Sequence, residues 1–242
     1  MEIAGRTHVG HVRARNEDTI DWDQKLGVAV IADGMGGHPA GDVASRIAVD
    51  TCLAVARHET DEGHTWLARG DADATGLVAA ADDAIRDHGR RVPETAGLGT
   101  TLLIAAIADT RLVIAHVGDS RIYRLRAGHL ERLTHDQNEA EYARLQGWLT
   151  ADQARRSPAR HQLLQALGST RPPVPDVVEG DCRPRDLLLM CTDGLTGELS
   201  DAEIHALLTE RGTADEATAE RLVAAALSHG GRDNVSVVLI AP

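Results

Sequence analysis

The apolar positions of this 242-residue chain change their spacing several times, and each change predicts an element. Leu26 to Ala32 is nearly uninterrupted apolar sequence that stops at Asp33, which reads as a buried strand ending on a carboxylate. Pro39 sits where a first helical turn would begin, and Ala40 to Arg57 carries Val43, Ile47, Val49 and Leu53 at helical spacing. A polar connection, His58 to Gly76, precedes a second helix with Leu77, Ala81, Ile85 and His88 on one face. From Thr100 the period becomes strand-like. TTLLIAAIA, RLVIAHV, RIYRLR and HLERLT read as four strands, broken at Asp109-Thr110, Gly118-Asp119-Ser120 and Ala127-Gly128. Such spacing predicts an antiparallel meander. His135 to Ser169 is polar and helical with little sustained amphipathicity, and Pro172, Pro173 and Pro175 mark an extended loop. DLLLMCTD is a second buried strand that runs into an aspartate. Asp201 to Glu210 and Thr213 to Ser228 read as helices, and NVSVVLIA closes as a strand. No repeat or low-complexity linker interrupts the pattern, so one α+β domain is expected.

Composition narrows the chemistry. Phe is absent and aromatics make up 2% of the residues, so the core must be built from aliphatic side chains. A net charge of −12 argues against a nucleic-acid or anionic-membrane surface. Cys52, Cys182 and Cys191 are odd in number and lack CxxC spacing, which argues against a disulfide framework or a cysteine zinc site. The N-terminus lacks a secretory pattern, and no apolar run reaches the ~18 residues of a membrane span. A cytoplasmic location is the expectation.

Three aspartates share a setting. Asp33 and Asp193 each follow an apolar run and precede a glycine, while Asp233 stands just before one, after Gly230-Gly231. Carboxylates beside permissive backbone can converge on a hard cation such as Mg²⁺ or Mn²⁺, which takes oxygen ligands. The adjacent glycine lets a main-chain carbonyl approach as well, so Asp33 and Gly34 read as side-chain and backbone ligands of one site. RARNED, Arg13 to Asp18, adds a phosphate-binding guanidinium fork and two further carboxylates, Glu17 and Asp18.

In order, RARNED, ADGMGGHPAGDVAS, GLGTTLL, HVGDSRIYRLR, LTHDQ, LLLMCTDGL and GGRDNVSVVLI resemble the metal-dependent serine/threonine protein phosphatases, the PPM (type 2C) family, in its bacterial wording. The resemblance runs from about Arg6 to Ile240. It implies a four-layer α-β-β-α sandwich of two antiparallel sheets flanked by helices. It also implies a centre of two Mn²⁺ or Mg²⁺ ions that activates water for in-line attack on phosphorus. Asp33 would bridge the ions, Asp193 and Asp233 would hold the first, and the Gly34 carbonyl would hold the second with Glu17 and Asp18. Asp119 would share a weaker third ion with Asp193, Asn234 would order its neighbouring ligand, and Arg13 would bind the phosphate. His135 to Ser169 corresponds to a flap over the cleft. Phosphoserine and phosphothreonine proteins, a serine/threonine kinase among them, are the implied partners. Met35 stands where many relatives carry a histidine general acid, and His38 is not at the matching position, so the proton donor is unassigned. Two other classes share parts of this signature: a metallohydrolase of small phosphate esters, and a non-catalytic phosphoprotein-binding relative, whose mark would be a lost metal aspartate.

Overall fold

The computed structural model describes residues 1–35, 40–61 and 70–242. One antiparallel sheet has the order β1 (Glu2–His8), β11 (Val235–Ala241), β10 (Leu187–Cys191), β7 (Arg121–Arg126) and β8 (His129–Arg132). The other runs β2 (Asp18–Asp23), β3 (Val28–Met35), β5 (Leu102–Ala108), β6 (Arg111–Val117) and β9 (Asp176–Asp181), with β4 (Gly99–Thr100) also on β3. Helices α1 (Gly41–Asp61) and α2 (Asp71–Arg91) cover the second sheet. Helices α5 (Asp193–Thr196), α6 (Asp201–Arg211) and α7 (Glu216–Ser228) cover the first. The two remaining helices, α3 (Glu139–Leu145) and α4 (Ala151–Arg156), are followed by a 3-10 turn, Pro158–His161, and sit beside the cleft described below.

The expected four layers are therefore present, and their cores explain the apolar runs. On β3, Val28, Val30 and Ala32 face α1 and α2, whereas Ala29 and Ile31 face the other sheet. On β10, Leu187, Leu189 and Cys191 face the helices, whereas Leu188 and Met190 meet the other sheet. Both faces of each strand are buried, so hydropathy shows no alternation. Burying each large aliphatic side chain contributes roughly 1.5–3 kcal/mol.

The meander is corrected. β5–β6 and β7–β8 are each hairpins, but β6 and β7 lie in different sheets. Gly118-Asp119-Ser120 carries the chain across the sandwich. The hydropathy pattern sets strand lengths, and either pairing would bury them. β1, β2 and β9 carry no apolar run and were not read from the sequence; β9 is an edge strand of mostly half-exposed residues. The start of α1 at Pro39 lies outside the described residues, and α1 extends four residues beyond Arg57. α7 starts at Glu216, because Asp215 caps it by accepting from the Thr218 N–H at 2.7 Å.

Candidate active site

Both sheets end at one edge of the sandwich, where the acidic residues gather. Asp33 does not end its strand: β3 continues through Met35, pairing Gly34 with Thr100 and Met35 with Gly99. Asp33 is fixed by its backbone. Its N–H donates to Thr101 Oγ1 at 2.9 Å, and its carbonyl accepts from Thr101 N–H and Thr100 Oγ1, both at 2.9 Å. Its carboxylate is left to face the cleft. Directly across the ladder stands Asp18. Two like charges opposite one another destabilise a sheet unless a cation lies between them.

Asp18 is buried. Its Oδ2 accepts from Ser236 Oγ at 2.6 Å and Thr192 Oγ1 at 3.0 Å, but buried Oδ1 has no partner among the described residues. Burial outweighs these hydroxyls and, with Asp193 and Asp233 nearby, pushes its carboxyl up to about 7. Asp33 is raised well above the carboxylate range by burial and then by Asp18, Asp193, Asp119 and Asp233. Burial followed by Asp193 raises Asp119. Burial followed by Asp233 raises Asp193, while His161, Arg160 and Arg13 oppose the shift. The five aspartates thus share one electrostatic environment with too little positive charge.

The glycines answer a packing demand. A Cβ on Gly34 would lie 2.0 Å from the Gly41 carbonyl oxygen, and one on Gly194 would lie 1.8 Å from the Asn234 carbonyl oxygen. In each Asp-Gly pair the second residue lets another backbone segment pass against the aspartate. Asn234 is the tie. Its Oδ1 accepts from Glu17 N–H at 2.8 Å, its Nδ2 donates to the Val9 and Arg15 carbonyls, both at 2.9 Å, and its N–H reaches Asp233 Oδ1 at 2.9 Å. One side chain therefore holds the Arg13-to-Asp18 segment against Asp233. Glu17 is half-buried at this junction, its carbonyl accepting from Ser45 Oγ at 2.6 Å, and burial raises its carboxyl.

Arg13 extends along the exposed rim, with Nη2 2.7 Å from Asp233 Oδ2. There it neutralises one carboxylate. Met35 closes β3, and His38 lies outside the described residues. Thr100, Thr101, Thr192 and Ser236 position the aspartates, yet isolated hydroxyl residues in apolar strands gave no signal in the sequence. His161, with Nδ1 3.9 Å from Asp193 Oδ2, was missed because contact comes from a segment 32 positions away.

The donor set fits divalent cations: all-oxygen ligands, an unpartnered buried carboxylate oxygen, and raised proton affinities that a cation would reverse. Among the described residues no three such side chains already close on one point as a cage. Carboxylates that repel one another stay apart around a cleft until a cation draws them in.

The family profile described as Protein phosphatase 2C matches residues 4–229. The chain belongs to the protein phosphatase 2C family. Within that family it is 37% identical over 240 residues to the serine/threonine protein phosphatase PstP of Mycobacterium tuberculosis, covering 99% of this chain and 44% of that protein. The chain thus spans less than half the length of that relative. It is 34% identical to the serine/threonine phosphatase stp of Listeria innocua, covering 99% of this chain and 95% of that one. The PstP crystal structure superposes with a TM-score of 0.88 at 34% identity, covering 98% of this chain and 97% of that one. A second PstP structure, of the catalytic domain in complex with two manganese ions, superposes at 0.86 with 34% identity, covering 98% and 96%. These likenesses make the protein phosphatase 2C sandwich the frame in which the aspartates are placed.

Proposed function

We propose that this chain is a metal-dependent protein phosphatase that hydrolyses phosphoserine and phosphothreonine, with Mn²⁺ or Mg²⁺ held by Asp33, the Gly34 carbonyl, Asp193 and Asp233, and by Glu17 and Asp18 directly or through water. The observation that carries it is the gathering of Asp18, Asp33, Asp119, Asp193 and Asp233 at one cleft, each within electrostatic reach of others. When bound, two divalent cations supply an activated water and neutralise charge on the phosphoryl group. The chain does the rest. Arg13 stands at the rim to offset charge on non-bridging oxygens. Ser236 and Thr192 hold Asp18 in orientation, and Asn234 keeps the Arg13 segment in register with Asp233. Asp119 is the proposed ligand of a weaker third ion shared with Asp193.

Residues 135–169 act as a flap within one catalytic domain, their His161 touching the Asp193 side of the cleft. Among the described residues no helix is long and apolar enough to cross a membrane, in keeping with a cytoplasmic catalytic unit acting on phosphoproteins, serine/threonine kinases among them. The deciding experiment is hydrolysis of a phosphothreonine peptide with and without manganese. Turnover lost with chelator and restored by manganese is expected; chelator-resistant turnover, or none with manganese, overturns the proposal.

A further inference from the structure

Beside the aspartates lies a cavity of about 550 Å³, lined at once by Asp119 and Asp193 and by arginines of the 135–169 segment and its neighbours. Most of those arginines are engaged. Arg121 holds Asp136 through two hydrogen bonds, 2.8 and 2.6 Å. Glu141 accepts from Arg132 at 2.6 Å and from Arg144 at 2.7 and 2.8 Å. Three guanidiniums thus meet two carboxylates whose oxygens are already committed. Arg155 and Arg160 are different. Arg155 stands 3.8 Å from Asp152, and both side chains are more than half exposed, which makes a weak pair. Arg160 pairs with no carboxylate among the described residues. It donates to the Arg155 carbonyl at 3.2 Å and to His161 Nε2 at 3.0 Å, contacts that seat the guanidinium without neutralising it. Asp119, Asp136, Glu141, Asp152, Asp193 and Asp201 line the same cavity, so these two are its least neutralised cations rather than the source of a net positive field.

A ligand of the cleft reaches this cavity without leaving the protein surface, because Asp193 borders both. An extended peptide advances ~3.3–3.6 Å per residue. Arg160 lies within electrostatic reach of Asp193 and is bonded to the Arg155 carbonyl, so a peptide phosphorylated at the aspartates would bring side chains about three positions away toward both guanidiniums. Guanidinium forks favour planar or tetrahedral oxyanions.

We propose that this cavity reads an oxyanion-bearing side chain, a carboxylate or a second phosphate, within about three residues of the phosphorylated residue; this rests on the phosphoprotein phosphatase reading above. Arg155 and Arg160 are the reading residues, and the selection is expressed in substrate binding.

The test uses the full chain with manganese and a set of phosphothreonine peptides. At each of the three positions on either side, the peptides carry Glu, a non-hydrolysable phosphonate analogue of phosphoserine, or Lys. At one or more positions, kcat/KM is expected to favour Glu or phosphonate over Lys by about threefold to tenfold, mainly through KM. Comparing the Glu and phosphonate arms tells which oxyanion is read. Arg155→Gln is expected to shrink the preference to within about twofold, Arg155→Glu to reverse it, and Arg155→Lys to retain part of it. Arg155 is exposed, so circular dichroism should show an unchanged fold. Equal kcat/KM for all three substituents at every position overturns this inference alone, as does a preference that survives Arg155→Glu. Turnover of no peptide at all overturns the phosphatase reading instead.

Discussion

Single side chains carry the sharpest consequences. Asp193 faces the cleft from the first residue of α5, and Asp233 and Asp33 lie within its field. Asp193→Asn removes an anionic oxygen and is expected to lower manganese-supported turnover by at least a hundredfold while circular dichroism stays unchanged. Manganese titration by calorimetry should show weaker binding, and near-normal turnover at limiting manganese would contradict the two-metal assignment. Arg13 offers a fork that a lysine cannot reproduce, so Arg13→Ala is expected to raise KM and slow turnover for phosphopeptides, with Arg13→Lys recovering little. Steady-state kinetics on both variants checks this. Gly194 is a packing position. Its Cβ would sit 1.8 Å from a backbone oxygen, so Gly194→Ala must displace either α5 or the start of β11. A loss of about 1–3 kcal/mol in denaturant midpoint analysis is expected, a size associated with forced overpacking.

At the scale of elements, α3 is tied to the body of the protein through Glu141, which is buried and bonded to Arg132 and Arg144. Burial alone would raise its carboxyl, but the two guanidiniums prevail and lower it to about 2 from an ordinary 4.5. A carboxyl depressed in the folded state contributes stability above its unfolded value, and that stability is lost as pH falls toward the folded value. Glu141→Gln is therefore expected to unfold more easily at pH 7 by roughly 1–3 kcal/mol, since it leaves two half-buried guanidiniums short of a partner. The gap should narrow as pH falls from about 4.5 toward 2. Thermal melts of both proteins across that range test the direction. The hairpins show how elements were read rightly and paired wrongly. The turn at Ala127-Gly128, both at positive φ (50° and 78°), encodes its own hairpin. Gly118-Asp119-Ser120 contains similar residue types but bridges two sheets, and that bridge is what brings Asp119 to the cleft beside Asp193.

At the scale of the molecule, ligand linkage predicts that manganese at about a hundred times its dissociation constant stabilises the fold by about 2.7 kcal/mol. For a chain of this size that corresponds to a melting shift of roughly 5–10 °C, reversed by chelator. An Asp193→Asn protein should show a much smaller shift. This readout needs no turnover and reports on the metal centre directly.

Local order alone determined a good deal. The central apolar strands, the two long helices on the second sheet, the aliphatic core and the Asp-Gly neighbourhoods of Asp33 and Asp193 are properties of neighbouring residues, and neighbours are what a sequence displays. The motif order carried the family resemblance for the same reason. Tertiary structure decided which strands pair, because β3, β5, β6 and β10 are apolar on both faces and hydropathy distinguishes no partner. It also decided the surroundings of the carboxylates. The Asp18–Asp33 opposition, the Ser236 and Thr192 hydroxyls and the Asn234 tie join residues up to 225 positions apart. Their chemistry arises only where the two sheets end together, since charge, burial and hydrogen bonding depend on distance in space.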